Sequence, residues 1–201
     1  SVYPYAADGF EASDTALLQQ LFRHTERSRI LCLTRVYETG TESINQSLHT
    51  RRLQALGRVG SSEFIPGEPV MMLRNDYEKQ LFNGDQGLIL RVALQGQEPQ
   101  AMAVFLVAGQ FVAFQLSALR GYLALAFALT VHKSQGSEFD RIALVLPQSD
   151  IPLLTREMLY TAVTRSKQSV TILGSQDILK RGIVRTVNRY SGIADQLRCS
   201  Q

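Results

Sequence analysis

The chain has 201 residues, 45% of them hydrophobic, which excludes global disorder and supplies a core for one sizeable domain or two small ones. Its net charge of +3 and pI near 9.0 permit a polyanionic partner without requiring one. No apolar run reaches the ~18 residues of a bilayer span, and no signal-peptide pattern opens the chain.

Two cysteines, Cys32 and Cys199, form no disulfide or zinc framework, so a reducing, cytoplasmic setting without a membrane is expected. Of the 21 basic residues 17 are Arg. Arg offers a planar fork that holds phosphate with two hydrogen bonds, although a GC-rich coding sequence would produce the same bias. The chain opens on Ser1 in mid-sequence style and reads as a fragment.

Residues 1–12 show no periodicity and are expected to be a loop. Ser13 or Asp14 can cap a helix to about Glu26, with Leu17, Leu18, Leu21 and Phe22 on one face. Residues 29–33 read as a short buried strand and 34–40 as a polar loop. Thr41 looks like the N-cap of a helix that carries Ile44 and Leu48 and ends near Gly57.

From about residue 58 to 123 helical periodicity gives way to strands. Residues 69–73 form one run, Asn83-Gly84-Asp85 is a tight-turn signal, 86–94 alternates, and 101–107 with 111–116 flank Ala108-Gly109-Gln110 as a hairpin. Consecutive strands without helices predict a small β barrel or sandwich inserted in an α/β domain. Apolar runs then recur at 124–129 and 142–146. A helix is expected over 155–167, a strand over 168–173, and a last helix from a Ser175 cap to about Val187. Outside the insertion, strands and helices alternate, which predicts a mostly parallel sheet covered by helices. Ligands of such sheets gather at the carboxyl ends of the strands. Thr34/Arg35 and Thr130/His132 both follow strand ends and can face one ligand.

The richest stretch is Thr130-Val131-His132-Lys133-Ser134-Gln135-Gly136-Ser137-Glu138-Phe139-Asp140. It gathers hydroxyls, an imidazole, a cation, an amide, a glycine and carboxylates, far more than a turn needs. This suits a ligand with phosphates and hydroxyls. Arg165, in Tyr160-Thr161-Ala162-Val163-Thr164-Arg165, falls on the predicted helix beside Thr161 and Thr164. It is either a solvated surface charge or a cation for a transferring phosphoryl group. Asn75, Asp76, Asn83, Gly84 and Asp85 are good turn formers, while Tyr77 and Phe82 can stack on unpaired bases. No Gly-Lys pair occurs, so no phosphate-cradling loop of the Gly-x-x-x-x-Gly-Lys-Ser/Thr type is present. His24, His49 and His132 lack metal-ligand spacing, and no metal site is expected.

These residues carry a resemblance. The 130–140 stretch resembles motif V of superfamily 1B DNA helicases and residues 160–165 their motif VI. Leu31-Cys32-Leu33-Thr34-Arg35 through Gly40 to Asn45 is similar to motif IV of the RecD branch, although Val36-Tyr37-Glu38-Thr39-Gly40 departs from its usual Glu-Gly-Pro-Phe-Gly. Asn75-Asp76-Tyr77 and Asn83-Gly84-Asp85-x-Gly87 resemble the SH3-like 2B insertion, and Arg189 to Leu197 the RecD tail. The likeness covers residues 29–197.

It implies a RecA-like α/β fold: residues 1–57 and 124–201 as motor domain 2A, and 58–123 as an SH3-like β-barrel insertion. It implies ATP with Mg2+, bound mainly by a first motor domain outside this chain. Arg165 would be the arginine finger, with Arg35 also approaching the γ-phosphate, and Gln135, Gly136 and Glu138 would line the nucleotide. Thr130, His132, Lys133, Asn75 and Tyr77 would hold single-stranded DNA, Lys133 being able to serve either ligand. The branch moves 5′ to 3′ and works with RecB and RecC subunits in exodeoxyribonuclease V.

Overall fold

A computed structural model describes residues 1–7, 9–57 and 64–186. Its elements are β1 (Tyr3–Tyr5), α1 (Ala12–Glu26), β2 (Ser28–Cys32), α2 (Thr41–Ala55), β3 (Pro69–Met72), β4 (Gln86–Leu94) and β5 (Gln100–Val107). There follow β6 (Gln110–Gln115), β7 (Leu123–Leu125), β8 (Ala128–Thr130), β9 (Phe139–Val145), α3 (Arg156–Val163), β10 (Ser166–Leu173) and α4 (Gln176–Val184). The tail, residues 189–197, and Cys199 lie outside the described residues, as does the expected last helical residue Val187.

Short apolar runs with helices between them can pair only through crossovers, which makes their sheet parallel. The strands run β10-β9-β2-β8, every pair parallel. Cys32 stands opposite both Thr130 and Val145, and Leu173 also opposite Val145. All four carboxyl ends therefore share one edge of the sheet. Leu31, Leu129 and Leu144 pack with Leu154 just before α3, Leu159 of α3 and Ile178 of α4. Gly182 lets α4 approach, since a Cβ there would sit 2.8 Å from Leu154 Cγ.

The second sheet runs β6-β5-β4-β3-β7 and is antiparallel along this path. Successive side chains of β4 alternate between two buried clusters. Leu88, Leu90 and Val92 pack with Leu18 of α1; Ile89 packs with Val70, Met72 and Phe105. Residues 1–12 are not all loop: β1 adds to β4 in parallel, pairing Tyr3 with Val92. Thr41 is not the N-cap of α2 but its first residue, the N-cap being Gly40. A Cβ on Gly40 would collide with the main-chain oxygens of Val36 and Arg35.

Helix α2 ties the two sheets together. The Asn45 side chain donates to the carbonyls of Leu125 (2.9 Å) and Ala128 (3.1 Å) and accepts from Ala128 N–H (2.8 Å). His49 Nδ1 meets Glu68 Oε1 at 2.7 Å with both side chains buried, and Glu68 Oε2 accepts from Ile65 N–H at 2.9 Å. Asn45→Leu strands the Ala128 N–H without its acceptor and is expected to cost roughly 2 kcal/mol in urea unfolding. An unchanged midpoint would contradict this clamp.

Candidate functional site: two edges of the parallel sheet

The stretch 130–140 leaves β8 at the carboxyl edge of the sheet and enters β9 at the amino edge. Along the seven residues of β9 these edges stand ~20 Å apart. Val131 N–H bonds Cys32 O at 3.0 Å, a 3-10 turn follows over His132–Ser134, and the buried Ser134 hydroxyl donates to Val131 O at 2.7 Å. Gly136 (φ 84°) takes a left-handed conformation that side chains resist, where the chain turns toward β9.

Arg165 belongs to the amino edge. Contrary to the expected helix over 155–167, α3 stops at Val163 and β10 begins at Ser166. The Thr164 hydroxyl donates to Tyr160 O (2.9 Å) and Thr161 O (3.1 Å), a local bond that competes with further helix. The guanidinium of Arg165 caps the same helix end, Nε donating to Thr161 O at 3.3 Å. Its Nη1 reaches Ser137 O at 3.5 Å, and its own carbonyl accepts from Phe139 N–H at 2.8 Å. Arg165 is thus held against residues 137–139, between Gly136 and Glu138 on one side and β10 on the other.

Glu138 pairs with Lys167 at 3.2 Å; both are more than half exposed, so the pair contributes little to stability and is easily exchanged for a ligand. An open cleft of about 470 Å3 extends from Glu138, Asp140 and Lys167 to Arg23 and Arg27 near the end of α1. Arg23 of α1 and its C-cap Arg27 were not legible as residues of this cleft; their four-residue spacing at the helix end is the signal that could have placed them together. Beneath this edge lies buried Arg29, 5.3 Å from the Phe139 ring centroid and donating to Ala126 O at 2.7 Å. Burial lowers its pKa to about 10, Glu26 opposing the shift, so it remains a cation at neutral pH. Burial pushes the Cys32 thiol up to about 12, so this cysteine is inert.

The carboxyl edge holds a different set. Thr130 Oγ1 accepts from Lys133 N–H at 3.3 Å, and Lys133 Nζ donates to Asn83 Oδ1 at 2.6 Å. Asn83 N–H donates to Asn75 Oδ1 at 2.8 Å, and Asn75 Nδ2 to the Tyr77 hydroxyl at 3.1 Å. The rings of Tyr77 and Phe82 meet edge to face at 6.2 Å, 75% and 48% exposed. The structure therefore joins Lys133 to Asn75 and Tyr77 across 50 residues of sequence through Asn83, a partner that looked like a turn former only. A cleft of about 380 Å3 lies between Asn83-Gly84 and His132-Lys133. Gln135, expected on the nucleotide, lines this cleft at the end of the 3-10 turn, as does Ser137, whose carbonyl Arg165 reaches.

Arg35, expected near the γ-phosphate with Arg165, is not brought together with it. It follows the end of β2, beside Thr130, and its Nε–H pairs with Glu42 Oε1 at 2.9 Å. Parallel register alone separates the two arginines by the length of the sheet. Among the described residues no group of three or more His, Cys, Asp or Glu is placed to hold a metal ion, and no helix is long and apolar enough to cross a membrane.

Residues 125–173 match the model of the UvrD-like helicase C-terminal domain. RecBCD enzyme subunit RecD of Mycobacterium tuberculosis is 32% identical over 93% of the chain, which spans 31% of that relative. The ATP-dependent RecD2 DNA helicase of Deinococcus radiodurans is 35% identical over 59% of the chain and is 16% covered. Among solved structures, the Pif1 helicase of Candida albicans matches 96% of the chain and is 55% covered, with a TM-score of 0.52 and 15% identity. That likeness establishes the fold, a RecA-like parallel sheet accompanied by a small β unit. The likeness to RecD along 93% of the chain and the matching helicase C-terminal domain make this chain a RecD homologue, corresponding to the C-terminal helicase part of that family.

Proposed function

We propose that the chain is the second motor half of an ATP-driven 5′–3′ DNA helicase of the RecD type, the first half supplying the phosphate-cradling loop and the Mg2+ ligands. The observation that carries the reading is the course of residues 130–140, a single connection with DNA-suited groups at one edge and nucleotide-suited groups at the other. Thr130, His132 and Lys133, with Asn75 and Tyr77, grip the single strand. Gly136, Glu138 and the finger Arg165 face ATP at the opposite edge. Glu138 offers a carboxylate to ribose hydroxyls. The Arg165 guanidinium, resting on the carbonyls of Thr161 and Ser137, swings to the charge that develops on the transferred phosphoryl group.

Cleft closure over ATP pulls on Glu138 and Arg165, and the 130–140 connection carries that displacement ~20 Å to Lys133 and His132. Phosphate contacts carry no sequence information, so the grip tolerates any sequence. In the cytoplasm the parent protein would act with RecB and RecC in exodeoxyribonuclease V. The likeness to a RecD2 helicase favours a second reading, in which the same motor works without those subunits.

Lys133→Ala in the full-length protein is expected to weaken single-stranded DNA uniformly across sequences and to lower the salt slope by about 1. A loss confined to some sequences would contradict a backbone contact.

A further inference from the structure

A third concavity lies on the carboxyl edge, beyond the residues assigned above. It measures about 330 Å3 and is lined by Tyr37, Glu38, Pro147, Gln148 and Ile151, from the loops after β2 and β9. We infer that this groove is a nucleobase subsite in which Tyr37 stacks on one unpaired base of the gripped strand while Arg35 holds that nucleotide's phosphate. The inference rests on the DNA reading of Thr130, His132 and Lys133.

Four observations converge. First, β2 lies between β8 and β9, so Arg35 and Tyr37 stand directly beside the Thr130 edge. A strand gripped at Thr130 and extended along the sheet edge reaches the loop after β9 within two strand spacings, ~10 Å. Second, Tyr37 has φ of 76°, a left-handed conformation disfavoured for a side chain of its size, and the residue is 73% exposed. A strained backbone that presents an aromatic face to solvent is an outlier that points to use. Third, the Glu38 carboxylate, held by Gln148 Nε2 at 2.8 Å, disfavours a phosphate inside the groove. Together with the apolar walls of Pro147 and Ile151 it suits the flat, uncharged part of a nucleotide and can accept from a base amino group. Fourth, the Arg35 side chain is 75% exposed outside the groove, and its pairing with half-exposed Glu42 engages only Nε. Its remaining N–H groups suit a phosphate.

The test is fluorescence anisotropy of the full-length protein with a labelled single-stranded oligonucleotide of mixed sequence and with its abasic counterpart. Tyr37→Gly removes the ring and accepts the same backbone conformation, so the fold is kept. It is expected to weaken the intact strand by about tenfold, with no change in salt slope. Tyr37→Phe keeps the wild-type affinity, and on the abasic strand Tyr37→Gly and wild type bind alike. Wild-type binding of the intact strand by Tyr37→Gly, with Lys133→Ala weakened, would remove the base subsite and leave the grip standing. Equal weakening of intact and abasic strands by Tyr37→Gly would also overturn the base assignment. No effect from either Tyr37→Gly or Lys133→Ala would remove the subsite and the grip together.

Discussion

Arg165→Ala in the full-length protein is expected to lower DNA-stimulated ATP turnover by about 10³-fold or more while leaving single-stranded DNA affinity unchanged. The size follows from the role. A guanidinium that meets charge only in the transition state contributes to the chemical step and not to ground-state binding. Two features fit that role. The side chain is anchored at a helix end by long bonds of 3.3 and 3.5 Å to carbonyls, contacts that are cheap to exchange for a phosphoryl oxygen. It also stands at the amino end of β10, whereas Thr130 and Lys133 follow the carboxyl end of β8 and make no bond to it, so its removal leaves the grip side chains in place. Losing those bonds costs only about 1 kcal/mol of stability, so the loss of turnover is separable from unfolding. Arg165→Lys retains charge without the fork and should recover only part of the rate. Turnover that survives Arg165→Ala would remove the finger role.

The parallel sheet was legible because apolar runs at 29–33, 142–146 and 168–173 alternate with helical periodicity, and that alternation permits few arrangements. The β unit was legible from the turn at Asn83-Gly84 and from the hairpin around Gly109. Strand β1 was not: Tyr3-Pro4-Tyr5 has no apolar run, and its place comes from main-chain pairing with β4. The end of α3 was not legible either. Thr161 and Thr164 are compatible with a helix, and only the hydroxyl bonds of Thr164 and the early start of β10 end it.

Within the site, the sequence showed which residues bear chemistry but not which share an edge. Arg35 and Arg165 looked alike as phosphate ligands, and register alone puts them at opposite ends of the strands. The bond from Lys133 to Asn83 depends on how an inserted β unit sits against the sheet, which no local pattern encodes.

The isolated 201-residue chain is expected to hydrolyse no ATP, even at micromolar concentration and with saturating single-stranded DNA. Phosphoryl transfer needs a cradle for the phosphates, a metal ion to neutralise them and a cation for the developing charge. This sequence has no Gly-Lys pair, and among its described residues no carboxylate cluster is placed for a metal. On the proposed reading Arg165 and Glu138 supply only one wall of the ATP site. DNA binding needs no second wall, so the chain should retain its grip through Lys133 and His132. The most direct measurement is steady-state ATP turnover of the purified chain beside that of its Arg165→Ala variant, with DNA binding followed in the same samples. The expected result is binding by both with turnover by neither. Turnover by the chain that vanishes in Arg165→Ala would show a complete active site within these residues and contradict the two-wall account.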